Sequence, residues 1–392
     1  MLPTDTRTLH VTSENVVIDG HPRRASLLLA LGDDDRPARV QAVDPDASAI
    51  PADTETVALG SALVVPAPLD IHFHGAGGHV VPPAGDVAAI DETLARVVAD
   101  AGWQGPAGTR CAYEWVATLP VPQVPAPDPV EHVAACAAAI RDRASATGCI
   151  GIRIEGLFLN PARAGVWPPE TFRAPDTGLL DELHAAARDN GSSLLVLDLA
   201  PELAGALELV ERCGELGIVA SLAHTDATWD QARTAIDAGA RLATHTWNAM
   251  RPVSHRDPGV VAACLTDDRV TCELICDGVH LHPGTISLST RASGAGRWIA
   301  VSDASPFAGC APGAYDWAGT TVHHDGRALR DDAGHLAGSA SLLDAAWSEL
   351  IQLGEGALTT ALALGAGPRG VLEPDRGQGV EVGDPVWVVA AT

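Results

Sequence analysis

Not one lysine occurs among the 392 residues; all 25 basic side chains are arginine. That absence excludes a Schiff-base lysine, a P-loop lysine under a nucleotide phosphate, and a carbamylated lysine bridging two metal ions. Positive charge is scarce as well. Fifty acidic residues leave a formal charge of −25, which argues against nucleic acid or an anionic membrane surface as partner. No apolar run approaches the roughly 18 residues of a membrane-spanning helix, and the opening "MLPTDTRTLH" has no signal-peptide pattern, so a cytoplasmic protein is expected. The eight cysteines form no CxxC pair and no disulfide framework. They read as small buried hydrophobes in a reducing compartment, with Cys272 and Cys276 at best sharing a strand face.

What the chain does have is a core. Hydrophobic residues make up 46% and charged ones 19%, enough for one large domain and a small one. Up to residue 64 the chain reads as short strands and turns, with "ENVVIDG" and "RRASLLLALG" as β-type runs. From there β-type runs alternate with alanine-rich segments of helical spacing. The runs are "PLDIHFH", "YEWVATLP", "IGIRIEG", "SLLVLDLA", "VASLAH", "RLATHT", "TCELICDG" and "RWIAVSD", and eight consecutive βα units close into a (β/α)8 barrel. One unit shows its punctuation. Thr228 with Gln231 makes a capping box, Ala232, Ala235 and Ile236 give the apolar stripe, and Gly239 ends the helix. "VPQVPAPDP" reads as a proline-stiffened loop, and the final "GQGVEVGDPVWVVAAT" returns to strand alternation. The expected division is a small β-domain from residues 1–64 and 372–392 around a barrel at 65–371.

Barrel enzymes work at the C-terminal ends of their strands. Those ends carry His72 and His74, Glu155, His224, His245 and Asp303. Residues i and i+2 of a strand share a face, so His72 and His74 project side by side before a turn allowed by Gly75, Gly77 and Gly78. The pair suits one divalent ion; Glu155 can reach or bridge a second, completed by His224 and His245. Asp303 is then the proton-transfer group, taking a proton from the attacking water and passing it to the leaving amine.

The segments "PLDIHFHGAGGH", "IEGLFLNPARAG", "AHTDATWDQARTAIDAGARLATHTWNAMRPVSHRDPG", "ELICDGVHLHP", "VSDASPFAG" and "HLAGSASLLD" resemble the N-acetylglucosamine-6-phosphate deacetylases of the amidohydrolase superfamily. The resemblance runs from about Pro66 to Asp344, with a weaker echo at the C-terminus. It implies a (β/α)8 TIM-type barrel with a small β-sandwich from both termini, a homodimer, and one or two divalent ions: zinc first, iron or manganese otherwise. Carried over by position, Glu155, His224 and His245 match the main metal site and Asp303 the acid/base. Asn248, the Ala249 backbone and Arg256 match holders of the sugar phosphate, the arginine reaching across a dimer interface, and His280 matches a substrate contact.

Departures fall on one wall. Leu157, Ala164 and Trp167 stand where the family has proline, lysine and histidine, so Trp167 is expected to line the pocket and to favour a substrate offering a flat or apolar group. That leaves a deacetylase of an N-acetylated amino sugar phosphate, a related amidohydrolase cleaving another N-acyl or cyclic amide, and an inactive metal-binding barrel. The residues left over receive plain expectations. His79, His255 and His282 read as surface or supporting groups, His323 and His324 as solvated, Trp247 as a core aromatic, Arg163 as exposed by default or else as a replacement for the lost cation, and Asp198 as a structural cap.

Overall fold

The computed structural model describes residues 7–31, 38–82, 85–119, 128–142, 148–317 and 319–389. The proline-rich loop expected at 121–129 falls, up to residue 127, outside the described residues. Both ends of the chain meet in a six-stranded sheet of β1 (Thr8–Ile18), β2 (His21–Ala30), β3 (Arg39–Val43), β4 (Glu55–Ala58), β5 (Leu63–Pro66) and β19 (Val386–Val389). The order is β19-β5-β1-β2-β3, with β4 also paired to β1. Alternation drives it: Leu9 and Val11 of β1 point inward to Leu27, Leu29 and Val40. Strand β5 crosses the boundary expected at residue 64, pairing with β19 through Pro66↔Val386.

All eight expected barrel runs form strands. They are β6 (Leu69–Phe73), β9 (Glu114–Leu119), β10 (Cys149–Phe158), β11 (Leu194–Leu199), β12 (Val219–Leu222), β13 (Leu242–Ala243), β14 (Thr271–Ile275) and β15 (Trp298–Val301), parallel and in that order around the sheet. The hairpin β7 (Gly75–Ala76) and β8 (His79–Val80) interrupts the first unit. Gly75 is required there, since a Cβ would sit 2.1 Å from the His79 carbonyl oxygen. β6 and β15 make no ladder. The barrel closes beyond them, where Asp303 N–H donates to His72 O (3.0 Å) and His74 N–H to Ala304 O (2.9 Å). Closure and site assembly are thus one event.

The helices are α1 (Val87–Asp100), α2 (Pro129–Arg141), α3 (Thr177–Asp189), α4 (Ala206–Leu216), α5 (Trp229–Ala238), α6 (Gly259–Thr266), α7 (Pro283–Ser293), α8 (Leu343–Gln352), α9 (Ala357–Leu364) and α10 (Ala366–Leu372). Side chains set their starts. Asp86, Asp128 and Asp176 accept from the first free N–H groups of α1, α2 and α3, and the Thr228–Gln231 capping box opens α5. Inside the barrel, Leu69, Ile71, Val116, Val196, Leu242 and Val301 form an apolar plug. A three-stranded sheet of β16 (Gly313–Trp317), β17 (Thr320–His324) and β18 (Leu329–Asp331) packs over the rim through Trp317, Val322 and Leu329. Among the described residues no helix is long and apolar enough to cross a membrane.

Candidate metal centre at the barrel rim

Glu155, at the rim end of β10, lies between two histidine pairs. One carboxylate oxygen is 3.2 Å from His224 Nε2 and 3.1 Å from His245 Nε2; the other is 3.1 Å from His74 Nε2. His72 Nε2 lies 3.6 Å from Glu155. Asp303 Oδ1 lies 3.3 Å from His72 Nε2 and 3.4 Å from His74 Nε2. The structure therefore brings together all six residues expected at the strand ends, every one of them buried. Two ligand groups result, His72–His74–Glu155 and Glu155–His224–His245.

A cation fits this donor set, and the tautomers say so. His74 Nδ1 donates to Thr118 O at 3.0 Å, His224 Nδ1 to Arg163 O at 2.7 Å, and His72 Nδ1 to Glu273 Oε2 at 3.3 Å. A carbonyl or carboxylate oxygen can only accept, so the proton sits on Nδ1 and each Nε2 keeps its lone pair for an electrophile. His72 Nε2 is buried with no hydrogen-bond partner, and the Nε2 atoms of His224 and His245 face each other at 3.2 Å. Burial opposes a charge on His74, yet the Asp303 and Glu155 carboxylates facing Nε2 raise its pKa by favouring a second proton at the place a cation would take; burial likewise opposes ionisation of Asp303, but His72 and His74 bring its pKa down to about 2. The carboxylates call for positive charge at this spot.

Beneath the site lies a network that sequence reasoning missed. Arg153, two residues before Glu155 on the same face of β10, is fully buried on the barrel axis. Its guanidinium holds Asp198 with two bonds of 2.8 Å, Glu273 at 2.5 Å, Thr244 at 3.0 Å and the Ile71 carbonyl at 3.0 Å. Glu273 in turn accepts from His72 Nδ1 and from the His245 N–H at 3.1 Å. Burial resists ionisation of Glu273, but Arg153 and His72 together bring its pKa down to about 2. The available signal was a charge inside each of the apolar runs "IGIRIEG", "SLLVLDLA" and "TCELIC", before the rim end of the strand. Asp198 is accordingly a partner of Arg153, not a cap. On the β6 side, Asp70 accepts from Ser302 Oγ at 2.5 Å and Tyr113 OH at 3.0 Å.

Backbone conformation is unusual at this rim. Leu157, His224, His245, Trp247, Ala249 and Asp303 all have positive φ, between 27° and 87°. L-residues rarely adopt that region.

A cavity of about 670 Å³ opens above the cluster. Of the expected substrate residues, Asn248, Ala249, His280 and Trp167 line it. His280 Nδ1 is held by Asp277 Oδ2 at 2.8 Å. Arg256 is exposed and does not line the cavity of its own chain. Arg163 departs from the default expectation: it is half-buried, lines the cavity and pairs with Asp226. His324, expected in solvent, is buried, with Nδ1 accepting from Gly326 N–H at 2.8 Å because β17 turns it toward the rim sheet's packed side. His323 and His255 are exposed, His79 is half-buried, and His282 caps α7 by accepting from Gly284 N–H. Trp247 donates to Ser289 Oγ at 2.8 Å. Seven of the eight cysteines are buried, and burial raises the Cys272 thiol to about 11.

A (β/α)8 barrel with four histidines and two carboxylates converging at its rim defines a metal-dependent hydrolase of the amidohydrolase kind. No family model matches the chain. Individual proteins do. The chain is 35% identical over 293 residues to the N-acetylgalactosamine-6-phosphate deacetylase of Escherichia coli O157:H7, covering 74% of this chain and 73% of that one. It is 35% identical over 204 residues to the N-acetylglucosamine-6-phosphate deacetylase of Lysinibacillus sphaericus, about half of each (52% and 52%). The Mycobacterium smegmatis N-acetyl-D-glucosamine-6-phosphate deacetylase, solved as a D267A mutant with N-acetyl-D-glucosamine-6-phosphate, superposes with a TM-score of 0.76 at 30% identity over 97% of this chain and 95% of that one. The chain belongs to the N-acetylglucosamine-6-phosphate deacetylase family.

Proposed function

We propose that this enzyme removes the acetyl group from an N-acetylated amino sugar 6-phosphate, working as a cytoplasmic homodimer with one or two zinc ions. The observation that carries the reading is Asp303, 3.3 to 3.4 Å from both histidines of the HxH pair at the floor of a cavity lined by Asn248, Ala249 and His280. Glu155, His224 and His245 would hold the principal ion, with His72 and His74 sharing Glu155 for a second. A bound divalent ion supplies Lewis acidity, polarising the amide carbonyl and acidifying water.

The protein's own groups do the rest. Asp303 takes a proton from the attacking water as the C–O bond forms and the carbonyl π pair moves onto oxygen. It returns that proton to the amide nitrogen as the C–N bond breaks, releasing acetate and a free amine. Asp277 fixes the His280 ring, which leaves Nε2 for a sugar hydroxyl. The Ala249 N–H finds no partner among the described residues and suits a phosphate oxygen. Arg256 supplies the guanidinium from the other subunit, which its exposure permits.

Relatives that act on glucosamine and on galactosamine derivatives share this family, so the C4 configuration is a second question. The test is acetate release from N-acetylglucosamine 6-phosphate, N-acetylgalactosamine 6-phosphate and both unphosphorylated sugars, with zinc loaded and then stripped. A kcat/KM above about 10⁴ M⁻¹s⁻¹ on one phosphorylated sugar, lost with the metal, is expected. No acetate from any of the four would reject the reading.

A further inference from the structure

The cavity has two unlike sides. From Glu155, one side carries His224, His245, Asn248, His280 and the Ala249 backbone, which offer polar groups. The other runs over His74 to Trp167 and Trp317. Both indoles pack on the His74 ring, with centroids at 5.8 and 5.6 Å, and on each other edge-to-face at 5.2 Å and 72°. They arrive by separate routes, Trp167 on the loop after β10 and Trp317 at the end of β16 in the rim sheet. Each keeps only 6% of its surface exposed, the remainder packed with Leu159, Phe307 and Leu329. Neither indole N–H has a partner among the described residues.

This wall packs on a histidine whose Nε2 lies 3.4 Å from Asp303, so it stands next to the proton-transfer group. If the amino-sugar reading above holds, the sugar and its phosphate occupy the polar side, and the amide's other substituent is turned toward the indoles. We propose that Trp167 and Trp317 form the acyl subsite and restrict it to small acyl groups. Two nearly buried indoles fill the volume a longer chain would need. A site built this way accepts a methyl and excludes further methylenes, each worth about tenfold or more when a pocket cannot yield. Trp317 contributes no proton and no metal ligand; its role is specificity.

The test compares N-acetyl-, N-propionyl- and N-butyrylglucosamine 6-phosphate on the zinc-loaded wild type, on Trp317→Ala, and on Trp317→Phe in case the alanine variant fails to fold. The acetyl-to-butyryl ratio of kcat/KM should fall by about tenfold or more in Trp317→Ala and by less in Trp317→Phe. Inhibition by glucosamine 6-phosphate, which lacks the acyl group, should stay within about twofold. A ratio unchanged in both variants, with overall activity merely reduced, overturns the acyl subsite while leaving the deacetylase reading intact. Failure of the wild type on all three substrates and on their galactosamine counterparts overturns both.

Discussion

Replacing Glu273 by glutamine tests whether the charge under the metal site, and not merely its shape, holds the ligands in place. The carboxylate accepts from four donors: Arg153 Nη1 at 2.5 Å, Arg153 Nη2 at 3.3 Å, His72 Nδ1 at 3.3 Å and His245 N at 3.1 Å. A glutamine has one acceptor oxygen and brings an NH2 that must face donors. Losing one partner of a buried pair costs about 3–5 kcal/mol. Arg153 keeps its two bonds to Asp198, so the low end applies, about 3 kcal/mol. Unfolding entropy of about 2.1 cal/mol/K per residue amounts to about 0.8 kcal/mol/K for 392 residues, so the midpoint should drop about 4 °C. The larger effect falls on the ion. With the His72 tautomer and the His245 backbone released, zinc affinity should weaken about 10- to 100-fold. Thermal unfolding of the metal-free protein and competition for zinc with a chromophoric chelator measure the two separately. A variant that melts within about 1 °C of wild type and binds zinc equally well would refute the reasoning.

Asp303→Asn should keep its zinc and lose at least about 10²-fold in kcat, since proton transfer goes while the ligands stay; elemental analysis beside turnover separates the two. Glu155→Ala and His224→Ala should instead lose metal and activity together, read by the same pair of measurements. Arg256→Ala should raise KM for the phosphorylated sugar by the equivalent of about 1.5–3 kcal/mol and leave the unphosphorylated sugar almost untouched, and equal losses on both would exclude a phosphate anchor. Among the eight thiols only Cys310 is partly exposed, so maleimide should label one thiol per native chain and none in Cys310→Ser.

The barrel and its rim were legible because both rest on local rules. Alternation marks a strand, and a histidine or carboxylate closing an apolar run marks its rim end; six such positions, Glu155 among them, converge at the rim. Arg153 and Glu273 were overlooked because each, taken alone, looks like an interruption of a strand. Only closure of the barrel makes them partners, across 120 residues of chain. Trp317 escaped notice for a related reason: nothing in "AYDWAG" says that a rim hairpin folds back onto His74. His324 was misplaced because a turn-like acidic stretch proved to be a strand with a packed face.

The left-handed backbone at His224, His245 and Asp303 has a consequence for how this enzyme would wear out. Such conformations cost about 1–3 kcal/mol each and persist only while their surroundings impose them. Relaxing His224 or His245 to an extended conformation swings its imidazole away from the centre, while Asp303 stays tied to His72 O where the barrel closes. The catalytic rim therefore has less reserve against heat than the barrel that carries it. Warming should extinguish turnover several degrees before the far-ultraviolet signal changes, and in that interval cooling should restore it.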